Sequence, residues 1–238
     1  MKRPALPLGW RYVFMLMALP HHVHADGIVV DRVYDPYVQP LETELELRSL
    51  MQSDDATDDA QKHALGFGRS LSDIWAIEIY AIGTKTGSQS LSVNAFEIEA
   101  KRQLTEQGEY AFDWGVLFEV ERESDDNIWE ASAILLSSRD FGRWTGTANL
   151  GVVYEWGSGI DNEIETVLRV QARYRLKESL EPAIELHAGQ DSKAIGPALT
   201  GLLRLSPGKK LRWDAGIFFG LDNDSADQTI KLNLEYEF

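Results

Sequence analysis

From about residue 41 onward the chain repeats one pattern: apolar and polar residues alternate, a few turn residues intervene, and the alternation resumes. A period of two puts successive side chains on opposite faces of an extended strand. Helical spacing is absent. In 144–156, one face carries Trp144, Gly146, Ala148, Leu150, Val152, Tyr154 and Trp156, and the other carries Thr145, Thr147, Asn149, Gly151, Val153 and Glu155. The last ten residues, "TIKLNLEYEF", set Ile230, Leu232, Leu234, Tyr236 and Phe238 against Lys231, Asn233, Glu235 and Glu237. The same rule predicts about twelve strands: 41–51, 62–69, 74–84, 91–104, 110–122, 128–138, 144–156, 163–175, 180–189, 195–205, 211–221 and 229–238. The second is the weakest, because "HALGFGRS" is short and glycine-rich.

The connections alternate in character. One set is tight ("RSLSD", "TEQGE", "RDFGR", "KESLE", "SPGKK"); the other is polar and mostly acidic, from "SDDATDDAQ" to "DNDSADQ". An up-and-down sheet with an even strand number gathers each set at its own end. Short turns at one end and longer loops at the other are the arrangement of outer-membrane barrels. The predicted strands are also long enough to cross a bilayer at a tilt.

The two faces fit that reading. Trp75, Tyr110, Trp144, Tyr174, Trp213, Tyr236 and Phe238 fall on the apolar face near the turn end, and Trp129, Tyr154 and Trp156 near the loop end. Two aromatic belts are what two membrane interfaces select. Trp114 and Phe118 sit deeper. The opposite face is too polar for a packed core. The lumen wall it predicts includes Glu42, Glu44, Glu46, Arg48, Glu97, Glu99, Lys101, Glu165, Arg169, Arg173, Arg175, Glu185, His187, Arg204, Arg212 and Asp214. Such charges must pair across strands or meet water. The first and last strands are expected to be neighbours, because a lipid-facing sheet leaves no open edge.

With these twelve amphipathic strands and a final strand ending in Phe238, the chain resembles the bacterial outer-membrane β-barrel class. The resemblance implies a closed antiparallel up-and-down transmembrane β-barrel over 41–238. It also implies outer-membrane lipids and lipopolysaccharide as surroundings, and recognition of the C-terminal strand by the barrel-assembly machinery. Twelve-stranded channels for acidic sugars in this class use arginine tracks, and the excess of glutamate here argues against polyanions.

Composition narrows the picture further. The chain has 238 residues, no cysteine and a formal charge of −15. Disulfides and thiolate metal sites are thereby excluded, and nonspecific nucleic-acid binding is disfavoured. Lys2, Arg3 and Arg11, the apolar "YVFMLMAL" and "VHA" at 23–25 read as a secretory signal over 1–25, cut after Ala25. Removing those three basic residues and no acidic one lowers the charge from −15 to −18. "HHVH" at 21–24 would leave with the signal, so it is not read as a metal site. Residues 26–40 are expected to be a periplasmic segment, either hanging free or folded into the lumen, with contact at the periplasmic mouth favoured because Val29, Val33, Tyr34 and Tyr37 are costly to leave in water.

Function follows from a lumen between those of an eight-strand and a sixteen-strand barrel. A narrow channel for small polar or cationic solutes, or a structural barrel, fits best, as a monomer with no cofactor, no metal and no catalytic residue assigned. A lipid- or glycan-modifying barrel enzyme is the second reading, but His187 alternates inward beside Glu185 rather than towards lipid. A soluble periplasmic β-protein is the third. Asp222, Asp224 and Asp227 loosely resemble a calcium loop without its glycine and later glutamate.

Overall fold

The computed structural model describes residues 28–54, 59–124 and 127–238. The residues of the expected signal, its cut after Ala25 and "HHVH" lie outside them. Twelve strands run β1 (Thr43–Ser53), β2 (Ala60–Ser70), β3 (Trp75–Thr86), β4 (Ser92–Gln103), β5 (Asp113–Glu123), β6 (Ile128–Phe141), β7 (Trp144–Gly157), β8 (Glu163–Tyr174), β9 (Glu181–Ala188), β10 (Lys193–Ser206), β11 (Lys209–Gly220) and β12 (Gln228–Glu237). Each pairs antiparallel with its sequence neighbours, and β1 pairs with β12 to close the barrel. Across that seam Leu45 faces Tyr236, Leu47 faces Leu234 and Arg48 faces Asn233. Among the described residues there is no helix.

The alternation in sequence becomes an inside and an outside. Leu47, Leu65, Ile79, Phe96, Ile98, Phe118, Leu135, Leu150, Val152, Ile164, Ile184, Leu199, Ile217 and Ile230 are exposed on the outer wall of successive strands. In water so continuous an apolar girdle would drive aggregation. In a bilayer it is the required outer surface, and closure leaves the sheet without a free edge strand. The soluble reading therefore fails on the outer wall.

Every strand lies within three residues of its predicted bounds at each end, and the differences at β2 and β5 are the instructive ones. β2 is a full eleven residues, because the luminal glycines Gly66 and Gly68 sit where the Tyr80 ring and the Glu44 and Glu78 side chains leave no space for a Cβ. β5 begins at Asp113 rather than at 110. The preceding residues form a turn in which the Glu109 amide donates to the Glu106 carbonyl and the Gly108 amide to Asp113 Oδ1 at 2.7 Å. Tyr110 is thus an exposed turn residue, not the start of a strand.

The other aromatics predicted for the belts lie on the outer wall, grouped across and along strands. Trp129 stacks on Trp156, its β7 partner, with centroids 6.2 Å apart, and Tyr154 stacks on Trp156 at 5.2 Å. At the turn end Trp144 packs on its β8 partner Tyr174, and Tyr236 on Phe238. Trp75 carries the Arg102 guanidinium over its ring, and Trp213 lies against Gly201. Aromatic clusters of this kind suit the interface, where a flat ring meets both apolar chains and polar headgroups.

Residues 28–42 do not stop at the mouth of the barrel. Ile28 and Val29 line a cavity at the loop end together with Gly189, Gln190 and Ser192, and Glu42 reaches the turn end, where β1 starts. Between them the segment passes through the lumen in extended form and buries Val30, Tyr34 and Val38. The expectation of contact at the periplasmic mouth is corrected. Fifteen extended residues can span up to about 50 Å, enough to thread the whole barrel.

Candidate functional site: the occupied lumen

The luminal segment is held at three levels. Nearest the loop end, Val30 is fully buried in a cluster with Leu50, Ala183, Ala194, Ala198 and Phe218. One level down, Asp31 pairs with Arg169 at 2.8 Å, and its backbone meets wall side chains from two strands. The Asp31 amide donates to His187 Nδ1 at 3.5 Å, and Lys231 Nζ donates to the Asp31 carbonyl at 3.4 Å. His187 is itself fixed by Glu185, 3.0 Å away, and by the edge of Phe218. Lys231, fully buried, pairs with Glu185 and with Asp214 at 3.2 Å. The predicted wall residues Glu185, His187 and Asp214 therefore belong to one cluster centred on Lys231.

Arg32 sets the middle level. It bonds to Glu46 at 2.6 Å and to Glu235, carboxylates that face each other across the closing seam. Beside it, Arg48 bonds to Glu46 at 3.1 Å and Glu99 at 2.8 Å and lies over the Tyr80 ring at 4.2 Å. Buried charges are tolerated only when paired and hydrogen-bonded, and here four carboxylates share two guanidinium groups, with Glu78 3.8 Å from Arg48. Tyr34 inserts beneath, its ring against Leu117, Ile134 and Leu136 and its hydroxyl donating to Glu99 at 2.8 Å.

The third level is a backbone clamp. Asn149 on β7 accepts from the Tyr34 amide at 2.8 Å and donates to the Tyr34 carbonyl at 2.9 Å. The Val38 amide donates to Gln103 at 2.9 Å, and Tyr37 donates to Asp113 at 2.7 Å. Gly115 makes room for the chain: a Cβ there would lie 2.9 Å from the Pro36 carbonyl oxygen. Asp35 approaches Arg173, which also pairs with Glu181 at 3.2 Å.

Among the described residues, cavities lie towards both ends of this occupant. At the turn end a space of about 150 Å³ is lined by Glu42, Glu44, Lys101, Arg173, Arg212 and Glu235 among others. Glu42 stands 3.5 Å from Lys210, and Arg212 bonds to Glu235 and Glu237. At the loop end a space of about 430 Å³ is lined by Glu97, Glu119, Glu121, Glu130, Glu155 and Glu165, with Lys62, Arg48 and Arg169 reaching into it. Strand register makes one row of these acids. Glu97 faces Glu121, Glu121 faces Glu130, Glu130 faces Glu155 and Glu155 faces Glu163, so five consecutive strands each contribute a carboxylate to one row across the wall. Like charges directly opposite repel, and Lys62 reaches from β2 to Glu121 at 3.1 Å to offset part of that repulsion.

Two predicted wall residues are not in the wall. Arg175 lies just past β8 at the turn end, half exposed and paired with Asp140 at 2.8 Å. Arg204 is two-thirds exposed and paired with Glu178 in the turn before β9, because it lies at the turn-end rim, two residues before β10 ends. The hydrogen bond from Arg204 lowers the Glu178 carboxyl below its usual range. At the loop end, Asp222 accepts from the Ser225 hydroxyl and lies 3.6 Å from Lys193, so it shapes the β11–β12 connection. The functional side chains absent from the predicted wall are Asp31, Arg32 and Tyr34. Their charge and aromaticity were visible, but nothing in an isolated extended segment reveals a partner more than a hundred residues away.

No known sequence family and no curated protein matches the chain. Solved structures do. An outer-membrane channel of Pseudomonas putida F1 superposes with a TM-score of 0.58 at 12% identity, over 87% of this chain and 98% of that one. The KdgM porin, in a complex with disordered oligogalacturonate, gives 0.56 at 11% identity, over 82% and 99%. The β-domain of the Bordetella autotransporter BrkA gives 0.57 at 11%, over 84% and 99%. At such identities the likeness speaks for the fold, and it agrees with the closed sheet and apolar outer wall described above. The chain is a closed twelve-stranded antiparallel β-barrel that shares its fold with these outer-membrane proteins.

Proposed function

We propose that this barrel is a narrow outer-membrane channel favouring small polar or cationic solutes, with its own N-terminal segment lying in the conducting path. The carboxylate row Glu97–Glu121–Glu130–Glu155–Glu163 carries the reading. A ring of acids at a pore mouth raises the local cation concentration and repels anions. The cavity it lines is wide enough for a hydrated small solute. Channel neighbours with the same fold support the assignment. The oligogalacturonate carried by one of them is a polyanion, which this acidic mouth does not suit.

In this reading the loop end faces outward and the turn end faces the periplasm, as in the outer-membrane class. The basic and then apolar start of the chain supports export with cleavage after Ala25. Lipid and lipopolysaccharide surround the aromatic belts, and the β12 pattern ending in Phe238 suits recognition by the assembly machinery. The barrel works as a monomer. Proteoliposome swelling tests the channel: an amino sugar should enter several-fold faster than a uronate of similar size. No swelling with either solute, or faster entry of the uronate, would refute it.

A further inference from the structure

The way the wall grips residues 28–38 differs from the way strands grip one another. We infer that the lumen is a binding tunnel for an extended polypeptide, and that this segment is its ligand supplied in cis. The inference deepens the channel reading, since an occupant that binds is one that can also leave.

Two independent observations carry it. First, the recognition is aimed at peptide groups. Asn149 engages both the amide and the carbonyl of Tyr34, Gln103 accepts from the Val38 amide, and His187 and Lys231 address the amide and carbonyl of Asp31. Side-chain amides that bond to backbone accept any extended chain at that level, and specificity then comes from side-chain pockets. Those pockets are on the page: an apolar one for Val30, an apolar floor with a carboxylate acceptor for Tyr34, and the Glu46–Glu235 pair for Arg32. Alternate anchors with backbone bonding between them are the general logic of extended-peptide recognition.

Second, the backbone of residues 28–38 takes no part in the ladder that closes the barrel. The seam is the direct β1–β12 ladder, ten residue pairs long. The chain on the turn side joins β1 through Gln39 to Glu42, where the Glu42 amide reaches the Gln39 carbonyl at 3.4 Å. The segment is therefore covalently tethered at one end and otherwise held by side chains. A tether of this kind gives a high effective concentration, so a weak intrinsic affinity suffices for occupancy. The ligand class follows from the anchors: an extended peptide with a small apolar residue, an arginine two positions on and a tyrosine two positions beyond that.

The test loosens the resident segment and offers the peptide in trans. Tyr34→Ala in the full chain removes one anchor while keeping Arg32, on which the seam carboxylates depend. Val30→Ala serves the same purpose should the first variant lose its heat-modifiable gel mobility. A fluorescein-labelled peptide of residues 28–40 is titrated into the detergent-solubilised variant and followed by anisotropy. Saturable binding is expected, at least ten-fold tighter than for a scrambled peptide of equal composition, and weakened at least ten-fold by adding Asn149→Ala. Equal binding of native and scrambled peptides, or none, would overturn the inference. Bilayer current is recorded on the same samples. Peptide binding without any current would leave the tunnel standing and refute the channel, whereas current without peptide binding would do the reverse.

Discussion

Glu46 and Glu235 face each other across the seam where the first and last strands meet, and Arg32 of the luminal segment bonds to both. One cation contributed by the plug thus neutralises a like-charged pair at the joint that closes the barrel.

Arg32→Ala should therefore weaken more than the segment's own docking. Glu46 keeps Arg48 and Glu235 keeps Arg212, so losing the cation that bridges the two nearly buried carboxylates costs about 2 kcal/mol. The midpoint of the heat-induced gel shift should fall by several degrees, and Arg32→Lys should recover part of it. An unchanged midpoint for Arg32→Ala would show that the seam does not depend on this cation.

Much of this was legible in the chain. The two-residue period located all twelve strands, and β1 and β12 had to pair because a lipid-facing sheet leaves no open edge. It also gave the luminal side of Glu46, Glu99, Arg169, Glu185 and His187. The segment's path was not legible. Val29, Val33, Tyr34 and Tyr37 read as apolar residues needing cover, but the buried set is Val30, Tyr34 and Val38. That choice is made by distant partners such as Asn149 and Phe218, not by local alternation. Arg175 and Arg204 failed for a related reason: alternation gives a residue's side of the sheet but not its height, and both lie at the turn-end rim, one just past the end of β8 and the other two residues before β10 ends.

Gly115 lies where the wall passes closest to the segment. A valine there would place its Cβ about 3 Å from Pro36 backbone atoms, and overpacking of this kind costs about 1–3 kcal/mol. Gly115→Val should speed trypsin cleavage after Arg32 in the folded protein while leaving the heat-modifiable band shift in place. Cleavage at the wild-type rate would mean that the contact does not hold the segment.

Asn149→Ala removes two hydrogen bonds to the backbone of one residue, Tyr34. At about 1 kcal/mol each, the docked fraction should fall measurably, again read by trypsin access to Arg32. Asn149→Asp should be nearly as damaging, because a carboxylate accepts from the Tyr34 amide but cannot donate to its carbonyl.

The carboxylate row makes a claim about selectivity. Glu121→Gln with Glu130→Gln removes two charges from the centre of the row while keeping side-chain volume. The cation-to-anion permeability ratio should fall several-fold, with little change in the gel shift. A ratio that does not move would place the selectivity elsewhere in the lumen.

Single-channel recording in planar bilayers under a ten-fold salt gradient, with wild type and Tyr34→Ala side by side, tests the central claim most directly. The account predicts small or rare steps for the wild type and several-fold larger or more frequent ones for Tyr34→Ala, both with a reversal potential of cation-selective sign. Equal conductance in the two proteins, or an anion-selective reversal potential, would contradict it.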